Sequence, residues 1–150
     1  LPKNKDIELL YVDRGGKITF HGPGQLIIYT MINTREHTFN IRQLVTILEQ
    51  SVVHLLKNIG VESFTKKNAP GVYINNSKIA SIGLRLKNGF TYHGLSLNID
   101  MDLEPFKNIN PCGLKNISVT QISDFNKEYN LEKSAKDIVA FIKKNKKIYE

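Results

Sequence analysis

The spacing of apolar positions divides the chain into two strand-like runs, one long helix, a block of strands and a closing helix. The helix carries the clearest signal. Ile41, Leu44, Val45, Leu48, Val52, Leu55, Leu56 and Ile59 recur every three or four residues and build one apolar face. Asn40, with Gln43 three residues on, reads as a capping box at its start, and Gly60 closes it. His54, inside this helix, reads as a rim or solvent residue. Ahead of the helix, Ile7 to Asp13 and Gln25 to Ile32 have β-prone composition, and the second run is apolar enough for a buried strand to be expected. From Val61 to Asn98 strand patterning returns, with turns at Asn75-Asn76 and Asn88-Gly89. Asn-Gly between two such runs predicts a two-residue type I′ hairpin. Residues whose numbers sum to 177 then face each other: Ser81 with Ser96, Gly83 with Gly94, Arg85 with Tyr92. Alternation puts Ser81, Gly83, Gly94 and Ser96 on one face, a bare patch that suits a ligand, a bulge or another stretch of backbone equally. Ser134 is expected to cap a final amphipathic helix, Ala135 to Lys144, with Ile138, Val139, Phe141 and Ile142 inward.

The segment from Asp13 to Gln25 joins the two strand candidates and gathers four glycines and a proline around Arg14, Thr19 and His21. Gly22-Pro23-Gly24 suits a type II turn, with Pro23 fixing φ and Gly24 taking the positive-φ position. A glycine-rich stretch of this kind is either a tight connection or a cradle for a ligand. Leu103 to Leu114 reads as a loop in which Pro111 and Gly113 hold Cys112 on a tight bend. A lone cysteine is an inert small hydrophobe or a nucleophile, and the residues alone leave both open.

Composition narrows the class. A chain of 150 residues, 41% hydrophobic and 23% charged, fits a single globular domain spanning the whole sequence. No apolar run approaches the ~18 residues of a membrane span, which excludes an integral helical membrane protein. The opening Leu-Pro-Lys-Asn-Lys lacks a secretory signal pattern and reads as a fragment or processed form. One cysteine forms no internal disulfide, so nothing points to an oxidising compartment. A formal charge of +7 calls for an acidic partner, whether nucleic acid, membrane surface or protein. No RNA-binding aromatic motif or zinc-ligand cluster accompanies it.

Taken together the segments resemble the lipoyl(octanoyl) transferase family. Arg14-Gly-Gly-Lys-Ile-Thr-Phe-His-Gly-Pro-Gly-Gln25 is similar to the family's signature. Ala69-Pro-Gly-Val-Tyr73 and Lys78-Ile-Ala-Ser-Ile-Gly83 are similar to its middle block, and Tyr92-His-Gly-Leu-Ser-Leu-Asn98 with Ile109-Asn-Pro-Cys-Gly113 to its final block. The resemblance implies an α+β fold shared with biotin and lipoate ligases, a mixed, mainly antiparallel sheet flanked by helices. It implies octanoyl (or lipoyl) transfer from acyl carrier protein to a lysine of lipoyl domains through a cysteine thioester. Those acceptors are the lipoyl domains of 2-oxoacid dehydrogenases and the glycine-cleavage H protein. Cys112 matches the nucleophile, and Lys78 the lysine that lowers its pKa and serves as acid and base. Arg14, Gly15, Gly16, Lys17, Ile18, Thr19, Phe20, His21, Ser81, Ile82, Gly83, Gly94, Leu95 and Ser96 match positions lining the acyl pocket. No cofactor, metal, nucleic acid or membrane is implied. A monomer is expected, in the cytoplasm or in an organelle of bacterial origin. Phe20 stands where the family usually has tyrosine, Ser96 where alanine is usual, and the family's N-terminal segment is expected to be missing.

A free thiol with pKa ~8.5 is only a few per cent thiolate at pH 7, and an ammonium that lowers it by about two units makes the thiolate the majority form. Backbone N–H groups at Ser81 to Gly83, or near Cys112, suit an oxyanion donor role. His21 and His93 read as groups that shape the pocket or brace loops. The rival readings are an ATP-dependent lipoate or biotin-type ligase, an amidotransferase between lipoyl domains, and a non-catalytic basic module docking acidic carriers.

Overall fold

The structure, a computed structural model, describes residues 7–36, 40–109 and 118–145. Within these, strands β1 (Gln25–Tyr29), β2 (Phe64–Thr65), β3 (Gly71–Ile74), β4 (Ser77–Lys87) and β5 (Phe90–Asn98) form one sheet in the order β1-β5-β4-β3-β2. A short β6 (Ser118–Val119) pairs with β4 in parallel, and every other pair is antiparallel. Helices α1 (Ile41–Asn58) and α2 (Leu131–Asn145) pack on each other and on one face of the sheet. The fold is therefore α+β, mixed and mainly antiparallel, as the resemblance implied.

Local chemistry accounts for α1 and the hairpin. Asn40 Oδ1 accepts from the N–H groups of Arg42 and Gln43, both at 3.0 Å, while the Asn40 N–H donates to Gln43 Oε1 at 2.7 Å. That capping box satisfies donors the helix cannot, for about 1 kcal/mol. At the other end Gly60, with φ +78°, donates to Lys57 O while Val61 donates to Leu56 O, a Schellman closure. Leu44, Leu48, Val52 and Leu55 pack against Val72, Ile79, Ala80, Leu95 and Leu97, which fixes the helix on its face of the sheet. His54 is exposed on α1, its ring 5.1 Å from that of Phe141 on α2. Asn88 and Gly89 take φ of 54° and 86°, and the β4–β5 register pairs Ser81 with Ser96, Gly83 with Gly94 and Arg85 with Tyr92. The hairpin register thus agrees with the sequence at every pair named above.

Five expectations are corrected. Residues 7–13 form no strand: Leu10, Tyr11 and Val12 lie exposed at 68%, 88% and 58%, with no sheet partner among the described residues. β1 is shorter than expected and not wholly buried, because it lies at the sheet edge and turns Ile27 and Tyr29 outward. The loop expected at Leu103 begins with a 3₁₀ turn over Glu104–Asn108. The last helix starts a turn early: Asn130 Oδ1 accepts from the Lys133 N–H, and Ser134 is buried inside the helix rather than capping it. Val139, expected inward, is 38% exposed.

Candidate active site

A bulge decides which way Lys78 points. In the β3–β4 ladder Gly71 pairs with Ser81 and Val72 with Ala80, but Tyr73 pairs with Lys78, so Ile79 is an extra residue on β4. Strict alternation from Ser81 would send Lys78 to the helix-covered face. The extra residue reverses it: Ile79 and Ala80 both enter the core with α1, and Lys78 joins Gly71, Tyr73 and Ser81 on the opposite face. There Lys78 is only 3% exposed, its ammonium 5.4 Å from the centre of the Tyr73 ring. Lys66 reaches the same ring, at 4.3 Å. Room for the lysine comes from Gly71, where a Cβ would stand 2.5 Å from Lys78 Cε and 3.2 Å from Nζ. The Gly71 N–H in turn donates to Glu49 Oε1, on α1, at 2.9 Å. The Glu49 carboxyl titrates above the ordinary carboxylate range because it is half-buried, opposed by the Gly71 N–H and the Lys78 ammonium.

Of the alternatives for the bare patch, the chain's own backbone is what lies over Gly83. A Cβ on Gly83 would meet Gly15 O at 2.9 Å and Arg14 Cδ at 3.3 Å, and the Gly15 N–H donates to Leu84 O at 3.2 Å. Arg14 and Gly15 thus run along the end of β4, with Gly16 in positive φ and Lys17 exposed beyond them. Gly94 serves a different purpose. Next to His93, held at φ +64°, its added Cβ would fall 2.0 Å from Ile28 O, so Gly94 admits the close approach of β1 instead of lining an open space. Ser96 is buried and paired with Ser81, whereas Ile82 and Leu95 turn to the helix side, so only their backbone is available to the lysine face.

Ile18, Thr19 and Phe20 line a crevice closed by Ile7, Pro105 and Ile109. The Phe20 ring stands edge-on to Phe106, centres 5.5 Å apart, and a Cβ on Gly22 would touch it. The following turn is the expected one: Gly24 has φ +82° and the Gln25 N–H donates to Gly22 O. From it a polar chain crosses the sheet. His21 Nδ1 and Gln25 Oε1 are 2.7 Å apart, Gln25 Nε2 donates to Asn98 Oδ1, and Asn98 Nδ2 donates to Thr120 O, both at 2.9 Å. The Thr120 N–H then donates to Lys78 O at 3.0 Å. His93 lies elsewhere, with Tyr92, against the Asp13 carboxylate.

Cys112 lies outside the described residues. Its segment is bounded by Ile109, in the crevice wall, and by Ser118, which pairs with Ser77 next to Lys78. Six residue steps separate Cys112 from Ser118 and span at most about 22 Å, so reach does not separate the thiol from the lysine. Sequence reasoning assigned no role to Glu49, Gly71, Tyr73, Gln25 or Asn98. The last four stand inside or at the ends of the quoted motifs, which was the available signal. Glu49 carried none.

In architecture the described sheet and helices are those of the biotin and lipoate protein ligases. The chain matches Aquifex aeolicus biotin protein ligase with a TM-score of 0.65 at 19% identity, covering 84% of this chain and 54% of that one. It matches P. falciparum LipL1 in complex with lipoate with a TM-score of 0.67 at 15% identity, covering 92% and 39%. The lipoyl protein ligase A/B catalytic domain matches residues 2–143, and the chain belongs to that family. Among sequence relatives, an octanoyltransferase of Buchnera aphidicola (subsp. Acyrthosiphon pisum) is 52% identical over 129 residues, 86% of this chain and 61% of the relative. One from Pseudomonas savastanoi is 52% identical over 124 residues, 83% and 56%, and one from Shewanella piezotolerans 46% over 134 residues, 89% and 61%. The chain therefore spans somewhat over half the length of these curated relatives.

Proposed function

We propose that this chain carries the acyl-transfer site of an octanoyltransferase in lipoate biosynthesis, working through a thioester on Cys112. The Cys112 thiolate attacks the thioester carbonyl of octanoyl acyl carrier protein and expels the carrier thiol. The amine of a lipoyl-domain lysine then attacks the acyl-cysteine, forms an amide and returns the thiolate. Lys78 holds the thiol ionised, gives its proton to the departing carrier sulfur and regains one from the incoming amine. The crevice beside Ile18 and Phe20 offers an apolar wall for the acyl chain. The basic chain, +7 overall, suits acidic carrier proteins in the cytoplasm. Among the described residues no helix is long and apolar enough to cross a membrane.

The observation that carries this reading is the burial of Lys78 on the face shared with Ser81, in a chain about half identical to octanoyltransferases. Intact mass after incubation with octanoyl acyl carrier protein, without ATP, tests it. An octanoyl adduct that disappears in Cys112→Ala is expected. An adduct requiring ATP would replace the reading with a ligase, and no adduct under either condition would leave a docking module.

A further inference from the structure

We propose that Glu49 is a positioning residue for Lys78, acting through the Gly71 amide and through its own charge, an inference that rests on the acyl-transfer reading above. The geometry runs in three steps. Gly71 N–H donates to Glu49 Oε1 at 2.9 Å, which ties the start of β3 to α1. Gly71, at φ +139°, lies so close to β4 that a Cβ would overlap both Ala80 O and Lys78 Cε. The lysine methylenes therefore pass over the residue that Glu49 anchors. Glu49 brings a carboxylate from α1 to this point, opposite in sign to the Lys78 ammonium, which acts on it electrostatically.

The titratable groups around Lys78 include Glu49 from α1, Tyr73 from β3, and Lys66 on the same Tyr73 ring. Of these three, Glu49 is the acidic one. A purely structural glutamate needs only an acceptor for the Gly71 N–H, which glutamine also provides. A positioning glutamate needs the charge as well, since the charge holds the ammonium over the Tyr73 ring while the thiol and amine approach.

Two measurements separate these roles. The first is the side-chain carboxyl ¹³C titration of Glu49 in the full chain, before and after Lys78→Met. Because the Lys78 ammonium lowers the Glu49 pKa, its removal should raise the midpoint. An unchanged midpoint overturns the proposal. The second is the rate of octanoyl adduct formation on Cys112 in Glu49→Gln, with Glu49→Ala beside it and thermal unfolding of each. We expect Glu49→Gln to unfold within a few degrees of the wild type yet acylate about tenfold more slowly. Acylation at the wild-type rate in Glu49→Gln, with loss only in Glu49→Ala, would make Glu49 structural and overturn the proposal. If the wild type itself forms no adduct, the acyl-transfer reading has failed, and the Glu49 titration still decides whether the two charges are linked.

Discussion

Replacing Gly71 by alanine should damage the lysine site and the sheet together, for reasons that are separately measurable. The new Cβ would stand 2.4 Å from Ala80 O and 2.5 Å from Lys78 Cε. Ala80 O belongs to the neighbouring strand and cannot move alone, so the lysine yields first and β3 shifts after it. At φ +139° the backbone is also strained for any L side chain. Strain of this kind costs ~1–3 kcal/mol, and forced overpacking a further ~1–3 kcal/mol. The sum, about 2–6 kcal/mol, is a large part of the ~5–15 kcal/mol that holds a domain folded. Urea unfolding should show it as a lower midpoint with an unchanged slope. In a thermal scan each kcal/mol lowers Tm by ~2–4 °C at this chain length, so a drop of at least ~4 °C is expected. A stability within ~0.5 kcal/mol of the wild type would refute the placement of Lys78 against Gly71.

Three further changes probe the surroundings. Asn98→Ala removes the link between Gln25 and Thr120, leaving Gln25 Nε2 only its longer bond to Phe20 O and taking from Thr120 O its side-chain donor, so urea unfolding should report a loss of ~1–3 kcal/mol; no loss would mean that water replaces the amide. Gly83→Val would drive its side chain into Gly15 O, so trypsin should cut after Arg14 or Lys17 faster than in the wild type while Tm falls little; unchanged cutting would place residues 14 and 15 elsewhere. The Asp13 carboxyl is held below its usual value, first by the Tyr92 hydroxyl and less by His93. With its folded pKa depressed, this contact contributes above the unfolded pKa and is lost as pH falls through the folded one. In Tyr92→Phe an NMR titration of Asp13 should therefore move up towards 3.8, and a static midpoint would rule out the contact.

Features fixed by neighbours in sequence were legible. Asn40 and Gln43, Gly60, Asn88-Gly89 and Gly22-Pro23-Gly24 each act within a few residues, and the structure puts all of them to the use their chemistry implies. What failed depends on partners far along the chain. Nothing in Ser77-Lys-Ile-Ala-Ser81 marks Ile79 as the extra residue, because a bulge is set by how β3 meets β4. Without it, alternation puts Lys78 on the wrong face. Leu10 to Val12 have strand composition but no strand to pair with among the described residues, and a strand without a partner does not form. Asn130 and Ser134 are both good caps; burial of Ser134 against the core decides between them, and burial is not a local property. The bare patch was correctly located at Gly83, yet sequence could not tell a ligand from the Arg14–Gly15 backbone that lies there.

The central claim is that Cys112 and Lys78 act as one unit, and the alkylation rate of Cys112 against pH tests it most directly. Cys112 is the only thiol in the chain, so the profile reads one titration without interference. In the wild type the midpoint should lie well below the ~8.5 of a free cysteine. In Lys78→Ala it should return towards that value, with slower alkylation near neutral pH and slower octanoyl adduct formation in parallel. A midpoint that stays where the wild type has it, with acylation unimpaired, would contradict the pairing and send the search for the base to His21 or His93.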